Sequence, residues 1–177
     1  MKNISKVLES GSSQEKIKIL ETLDKTYNPI ILEKIISKLD DNNIQVRGEA
    51  FSSLVLNEND ISNFLIKSLS SASKNIRGFA SLVLANRNEK NAIPEIIKLA
   101  KDERSMVRSC AVGALGHLRA KEAEAIVLQS LLDSNLEVRK SALQASIYLK
   151  IKVPENMKNE INKYRDSEIE KLLFKLK

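Results

Sequence analysis

Apolar residues along this chain fall into a register that repeats every thirty or thirty-one positions. Take the Val of a recurring Val-Arg pair as position zero. The zeros then stand at Glu15, Val46, Ile76, Val107, Val138 and Ile169, at intervals of 31, 30, 31, 31 and 31. Four residues on are Ile19, Ala50, Ala80, Ala111, Ala142 and Leu173; eight on are Leu23, Leu54, Leu84, Leu115 and Ser146. Positions zero, +4 and +8 lie within an arc of about 80° on an α-helix and so form one buried stripe. Upstream, a second stripe keeps the register, with Ile4, Ile35, Leu65, Ile96 and Val127 at −11 and Leu8, Leu39, Leu69, Ala100 and Leu131 at −7. The pattern predicts a single all-α domain over 1–177, built from six pairs of amphipathic helices, A then B. The units run at about 1–27, 28–57, 58–88, 89–119, 120–151 and 152–177.

Capping chemistry agrees with these boundaries. Asn28-Pro29 offers a cap followed by proline at the first helical position. Asn43, Ser73 and Asn135 stand where helix B should begin, and Ser12 with Glu15 and Ser167 with Glu170 have capping-box spacing. The end units are atypical: Glu15-Lys16 and Ile169-Glu170 replace the Val-Arg pair, and the last A-helix stripe slips by one residue to Met157 and Ile161. A terminal unit exposes one flank to water, so weaker patterning there suits capping units.

The phrase L-x-D-x-x-x-x-V-R-x-x-A runs from Leu39-Asp40-Asp41 to Ala50, less well from Leu69 to Ala80, then from Leu99 to Ala111 and from Leu131 to Ala142. It resembles the HEAT-like repeat of the phycobilisome-lyase type, an armadillo-like architecture, over residues 30–150. The resemblance implies a right-handed α-solenoid whose B helices line the concave side. It also implies a structural, inter-repeat role for the Asp/Arg pair of the phrase.

Composition narrows the function classes. No apolar run approaches the ~18 residues that span a bilayer, and the opening Met-Lys-Asn-Ile-Ser-Lys lacks a signal-peptide apolar stretch, so a soluble cytoplasmic protein without a membrane partner is expected. One cysteine, Cys110, and one histidine, His117, leave no disulfide, no Cys-based metal site and no multi-histidine site, and no cofactor is expected. Cys110 and His117 are two helical turns apart, about 10 Å along one helix, too far for a nucleophile and its base.

With 29 basic and 23 acidic residues the formal charge is +6. Where the cations lie decides what that charge means. The most visible row is at +1: Lys16, Arg47, Arg77, Arg108 and Arg139. A row of phosphate contacts is one reading. The favoured one is an internal ladder in which each Arg pairs with a carboxylate of an A–B turn: Asp41, Asp102 and Asp133 stand at −5, with Ser71 in their place in unit three. Other lysines are interspersed with acids on A helices and links, so a nucleic-acid-binding or DNA-glycosylase-like protein is the alternative rather than the preferred reading. Such glycosylases are associated with an aromatic cradle and a basic cleft; this chain has no Trp.

On helix B the side opposite the core carries unusually little charge. Positions +2, +3, +6 and +10 of units two to five hold sixteen residues, of which only Glu49 and Lys140 are charged, where the chain-wide 29% would give between four and five. Charge depletion with scattered aromatics marks binding surfaces. The expectation is a non-catalytic scaffold that takes a protein or peptide there through Phe79, Leu82, Cys110, His117, Lys140, Gln144 and Tyr148. Self-association stays open, as does the alternative that neighbouring B helices fill the groove.

Overall fold

The computed structural model describes residues 4–163 and 166–176. Among these the chain forms twelve α-helices and no strand, divided between two compact units, 1–87 and 88–177.

The first unit holds three hairpins: α1 (Ile4–Ser10) with α2 (Ser13–Leu20), α3 (Pro29–Ser37) with α4 (Ile44–Leu56), and α5 (Ser62–Ser68) with α6 (Lys74–Asn86). The second holds α7 (Ile93–Leu99) with α8 (Ser105–His117), α9 (Glu124–Ser130) with α10 (Leu136–Leu149), and α11 (Glu155–Asn162) with α12 (Ser167–Lys175). Odd-numbered helices are the A helices and even-numbered ones the B helices.

The register explains the core. Val46, Ala50 and Leu54 on α4, Ala80 and Leu84 on α6, Val107, Ala111 and Leu115 on α8, and Val138 and Ala142 on α10 are all sealed from solvent. So are Ile35 and Leu39, Leu65, Ile96, and Val127 and Leu131 from the A-helix stripe. Each hairpin therefore buries two stripes at once, and burying a residue of this size is worth roughly 1.5–3 kcal/mol against leaving it exposed. On α2 the register moves on by one residue: Leu20 is buried while Ile19 is only half-buried.

Caps set where helices begin. Asn28 Oδ1 accepts from the Ile31 N–H, with Pro29 at the first position of α3. The Asn43 and Asn135 carboxamides each accept two N–H groups, and Ser73 Oγ accepts that of Ile76. Ser12 and Glu15 form a reciprocal capping box. The box expected from Ser167 and Glu170 is replaced by Asp166, whose carboxylate accepts from the Glu168 and Ile169 N–H groups. An ionised acceptor at the positive end of a helix outcompetes a neutral hydroxyl one residue on.

Helix B ends by two devices. The last carbonyls of α4 are bound by a side chain from the next hairpin. Arg87 Nη1 donates to the carbonyls of Leu54 (3.2 Å), Val55 (3.4 Å) and Asn57 (2.6 Å), and Nη2 to that of Asn59 (2.8 Å). Buried Asn57 reaches the other way, donating through Nδ2 to the Thr26 carbonyl at 2.9 Å. The later B helices meet a left-handed residue at position +12 instead: Asn88 (φ 58°), Arg119 (φ 53°) and Lys150 (φ 56°). Only Asn among these three is suited to that conformation.

Candidate functional site

The four arginines at +1 share one geometry. Nη1 of Arg47 donates to the carbonyls of Asp41 (2.8 Å) and Asn42 (3.2 Å), and that of Arg77 to Ser71 (2.8 Å) and Ala72 (2.9 Å). Arg108 does the same with Asp102 (2.9 Å) and Glu103 (3.2 Å), and Arg139 with Asp133 (2.6 Å) and Ser134 (3.2 Å). Each guanidinium closes the turn before its own helix. Lys16 and Arg108 also reach a carboxylate of the following unit: Lys16 Nζ lies 2.8 Å from Asp41 Oδ2, and Arg108 grips Asp133 through Nε (2.7 Å) and Nη2 (2.8 Å). The Arg108 fork holds the Asp133 carboxyl below the usual carboxylate range against the opposing effect of burial. Asp102 Oδ1 accepts the Arg104 N–H.

The uncharged face of the B helices divides into an open part and a closed part. In the second unit α8 and α10 pack closely: Ser109 Oγ and Ser141 Oγ are 2.9 Å apart, and a Cβ placed on Gly116 would stand 2.7 Å from Ala145 Cα. Position +2 of α8 thus meets +3 of α10, while a Cβ built on Gly113, at +6 of α8, would meet nothing within 4 Å. Lys140 is held by Glu168 (2.8 Å), Asp166 (3.4 Å) and Glu137 (3.5 Å), its pKa raised first by the Glu168 bond, and so joins α10 to the start of α12. Cys110 Sγ contacts Met106 Sδ at 3.7 Å, and burial pushes its thiol up to about 11, so it is neutral at physiological pH. Gln144 is half-buried, and His117 and Tyr148 are exposed, Tyr148 at 46%.

In the first unit the face is open. Ile44, Arg47, Gly48 and Phe51 of α4 and Phe79 and Leu82 of α6 line a cleft of about 380 Å³. Ile44 is 72% exposed, Leu56, further along α4, is 66% exposed, and nothing lies within 4 Å of a Cβ built on Gly48. Ile44, Gly48 and Phe51 have i, i+4, i+7 spacing, a second apolar stripe on α4 that is exposed at Ile44 and Gly48 and half-buried at Phe51. Phe79 and Leu82 thus come together in one concavity, while Cys110, His117, Lys140, Gln144 and Tyr148 belong to the other unit. Ile44 and Phe51 complete the cleft from positions −2 and +5. In the sequence they are marked by that stripe, and both stand outside positions +2, +3, +6 and +10.

Larger clefts border the A helices, one of about 800 Å³ enclosing the Arg108–Asp133 pair. Among the described residues no helix is long and apolar enough to cross a membrane, and no group of three or more His, Cys, Asp or Glu is placed to hold a metal ion.

A family model for HEAT repeats matches residues 62–147. No curated protein matches the chain. Solved structures share its fold. A designed armadillo repeat protein superposes with a TM-score of 0.58 at 18% identity, covering 98% of this chain and 96% of that one. The complex of CpcE and CpcF of phycocyanin lyase from Nostoc gives 0.61 at 18%, covering 96% and 73%. Human deoxyhypusine hydroxylase in complex with glycerol gives 0.52 at 13%, covering 98% and 81%. Similarity at these identities speaks for the fold. Residues 62–147 are therefore similar to HEAT repeats, within a chain whose all-helical repeat fold is shared with armadillo and HEAT-like proteins.

Proposed function

We propose that this chain is a non-catalytic protein-interaction scaffold that binds a segment of a partner protein along the uncharged face of its B helices, its six hairpins acting as one continuous domain. The observation that carries this reading is the open cleft between α4 and α6, where half-buried Phe51, Phe79 and Leu82 form an apolar lining beside exposed Ile44. Apolar side chains left in water beside an uncharged helix face gain free energy when a partner buries them, at roughly 25 cal/mol per Å². The fold neighbours support this use of the architecture: a designed armadillo repeat protein has been solved in complex with the peptide (KR)4, and CpcE with CpcF as a complex of two proteins. They include an enzyme as well, deoxyhypusine hydroxylase, so fold alone does not choose between binding and catalysis. Chemistry on the face favours binding, because Cys110 is protonated and Lys140 is engaged by three carboxylates.

The test is affinity capture from a native lysate with the wild-type chain and with Gly48→Trp. The new side chain enters open space, so it fills the cleft without disturbing the core. A protein retained by the wild type, insensitive to nuclease, and lost with Gly48→Trp is the expected result. Capture unaffected by the substitution, or abolished by nuclease, would overturn the proposal, the second outcome in favour of nucleic acid.

A further inference from the structure

The rung of the cation ladder at Arg47 lacks its carboxylate. Where the rung is complete, the −5 aspartate of the following unit uses both oxygens. Asp133 Oδ1 accepts the Asn135 N–H at 2.8 Å while its carboxylate receives Arg108; Asp41 Oδ1 accepts the Asn43 N–H at 3.0 Å while Oδ2 receives Lys16. By the same register the partner of Arg47 is residue 71, and residue 71 is serine. Its Oγ takes over the turn bond, accepting the Ser73 N–H at 3.2 Å, but serine supplies no second oxygen. Arg47 Nη1 is held by the Asp41 and Asn42 carbonyls, and among the described residues no acceptor meets its Nε or Nη2. Of the carboxylates close in sequence, Asp41 is engaged by Lys16 and Asp40 by Asn75 Nδ2 at 2.7 Å, and Glu49 stands beside Glu21. Half-buried Arg47 is also one of the six residues lining the apolar cleft, and no acidic residue lines it.

We propose that this cleft takes a protein segment in which a bulky apolar side chain stands beside an aspartate or glutamate. The apolar group sits against Phe51, Phe79 and Leu82, and the side-chain carboxylate receives the open Nε/Nη2 edge of Arg47, as Asp133 receives Arg108. This rests on the scaffold reading and names the chemistry of the partner. A planar guanidinium fixed on one edge presents two parallel N–H groups on the other, the arrangement that matches a carboxylate in bidentate geometry. The missing rung thus turns a structural residue into a recognition group.

The probes are N-acetyl-aspartyl-phenylalaninamide and its asparaginyl counterpart, both free of a C-terminal carboxylate. Their binding is followed by NMR at the Gly48 amide and the Arg47 Nε–H. The aspartyl probe is expected to shift both resonances saturably, with the asparaginyl probe about tenfold weaker, the loss of a charge-assisted pair. Ser71→Asp supplies the missing carboxylate from within. It should move the Arg47 Nε–H resonance before any probe is added, raise Tm, and erase the tenfold preference while leaving apolar binding. Equal affinity of the two probes for the wild type, or a preference that survives in Ser71→Asp, would overturn the carboxylate inference and leave the cleft standing as a binding site. Absence of any shift at Gly48 with either probe would overturn the inference together with the scaffold reading at this cleft.

Discussion

The two glycines of α8 make the sharpest test of how the B helices pack. Gly113→Ala and Gly116→Ala are the same chemical change three residues apart on one helix. At Gly113 a new Cβ meets nothing within 4 Å, so the substitution should return only the helix-propensity gain, about 1 kcal/mol. At Gly116 the new Cβ would stand 2.7 Å from Ala145 Cα and 2.8 Å from Ala145 Cβ. Carbon pairs settle at about 3.5–4.0 Å, so α8 and α10 must part by close to an ångström there. Neither clashing atom is the tip of a flexible side chain. Overpacking of this kind costs about 1–3 kcal/mol, which exceeds the propensity gain, itself reduced near a helix end. Urea denaturation followed by circular dichroism should show Gly113→Ala more stable than wild type and Gly116→Ala less, with a gap of about 2–4 kcal/mol and unchanged m-values. If the two variants shift stability in the same direction by similar amounts, α8 and α10 do not approach as described.

Three further predictions concern the frame. Asp133→Asn should cost about 2 kcal/mol at neutral pH by removing a charge-assisted pair. Because the folded state holds this carboxyl below its ordinary range, the contribution is present above pH ~3.9 and fades as pH falls through the lower folded value, so urea midpoints of variant and wild type should converge in acid. Asn57→Ala removes the 2.9 Å bond to the Thr26 carbonyl and the acceptor of the Asn59 N–H, and calorimetry should find the chain destabilised by about 2 kcal/mol. Lys150→Gly relieves a left-handed backbone conformation at the end of α10 and should stabilise by about 1 kcal/mol, visible as a raised Tm.

Much of the frame was legible in the sequence, because a helix that repeats its apolar positions every 31 residues has one way to bury them. The sealed Val46, Ala50 and Leu54, and their counterparts on α8 and α10, follow from periodicity alone. What periodicity does not encode is distance between helices. The approach of Gly116 to Ala145, which closes part of the face in the second unit, depends on an interaxial spacing that no register reveals. Helix ends escaped for another reason. Arg119 and Lys150 adopt φ above +50° without the glycine that would announce it, and Arg87 and Asn57 bind carbonyls contributed by another hairpin. The cleft residues Ile44 and Phe51 were visible only as a second stripe on α4. Ser71 stood in plain view at the aspartate position, but its consequence needed the bonds of Arg47.

The central claim, that the α4–α6 face is where a partner segment docks, is tested most directly by selecting a random peptide library on the immobilised chain and again on Gly48→Trp. Sequences pairing a large apolar residue with an acidic one should be enriched on the wild type, and that enrichment should be lost on the filled cleft. Enrichment of lysine- and arginine-rich sequences, or a set of peptides recovered equally from both proteins, would contradict the claim.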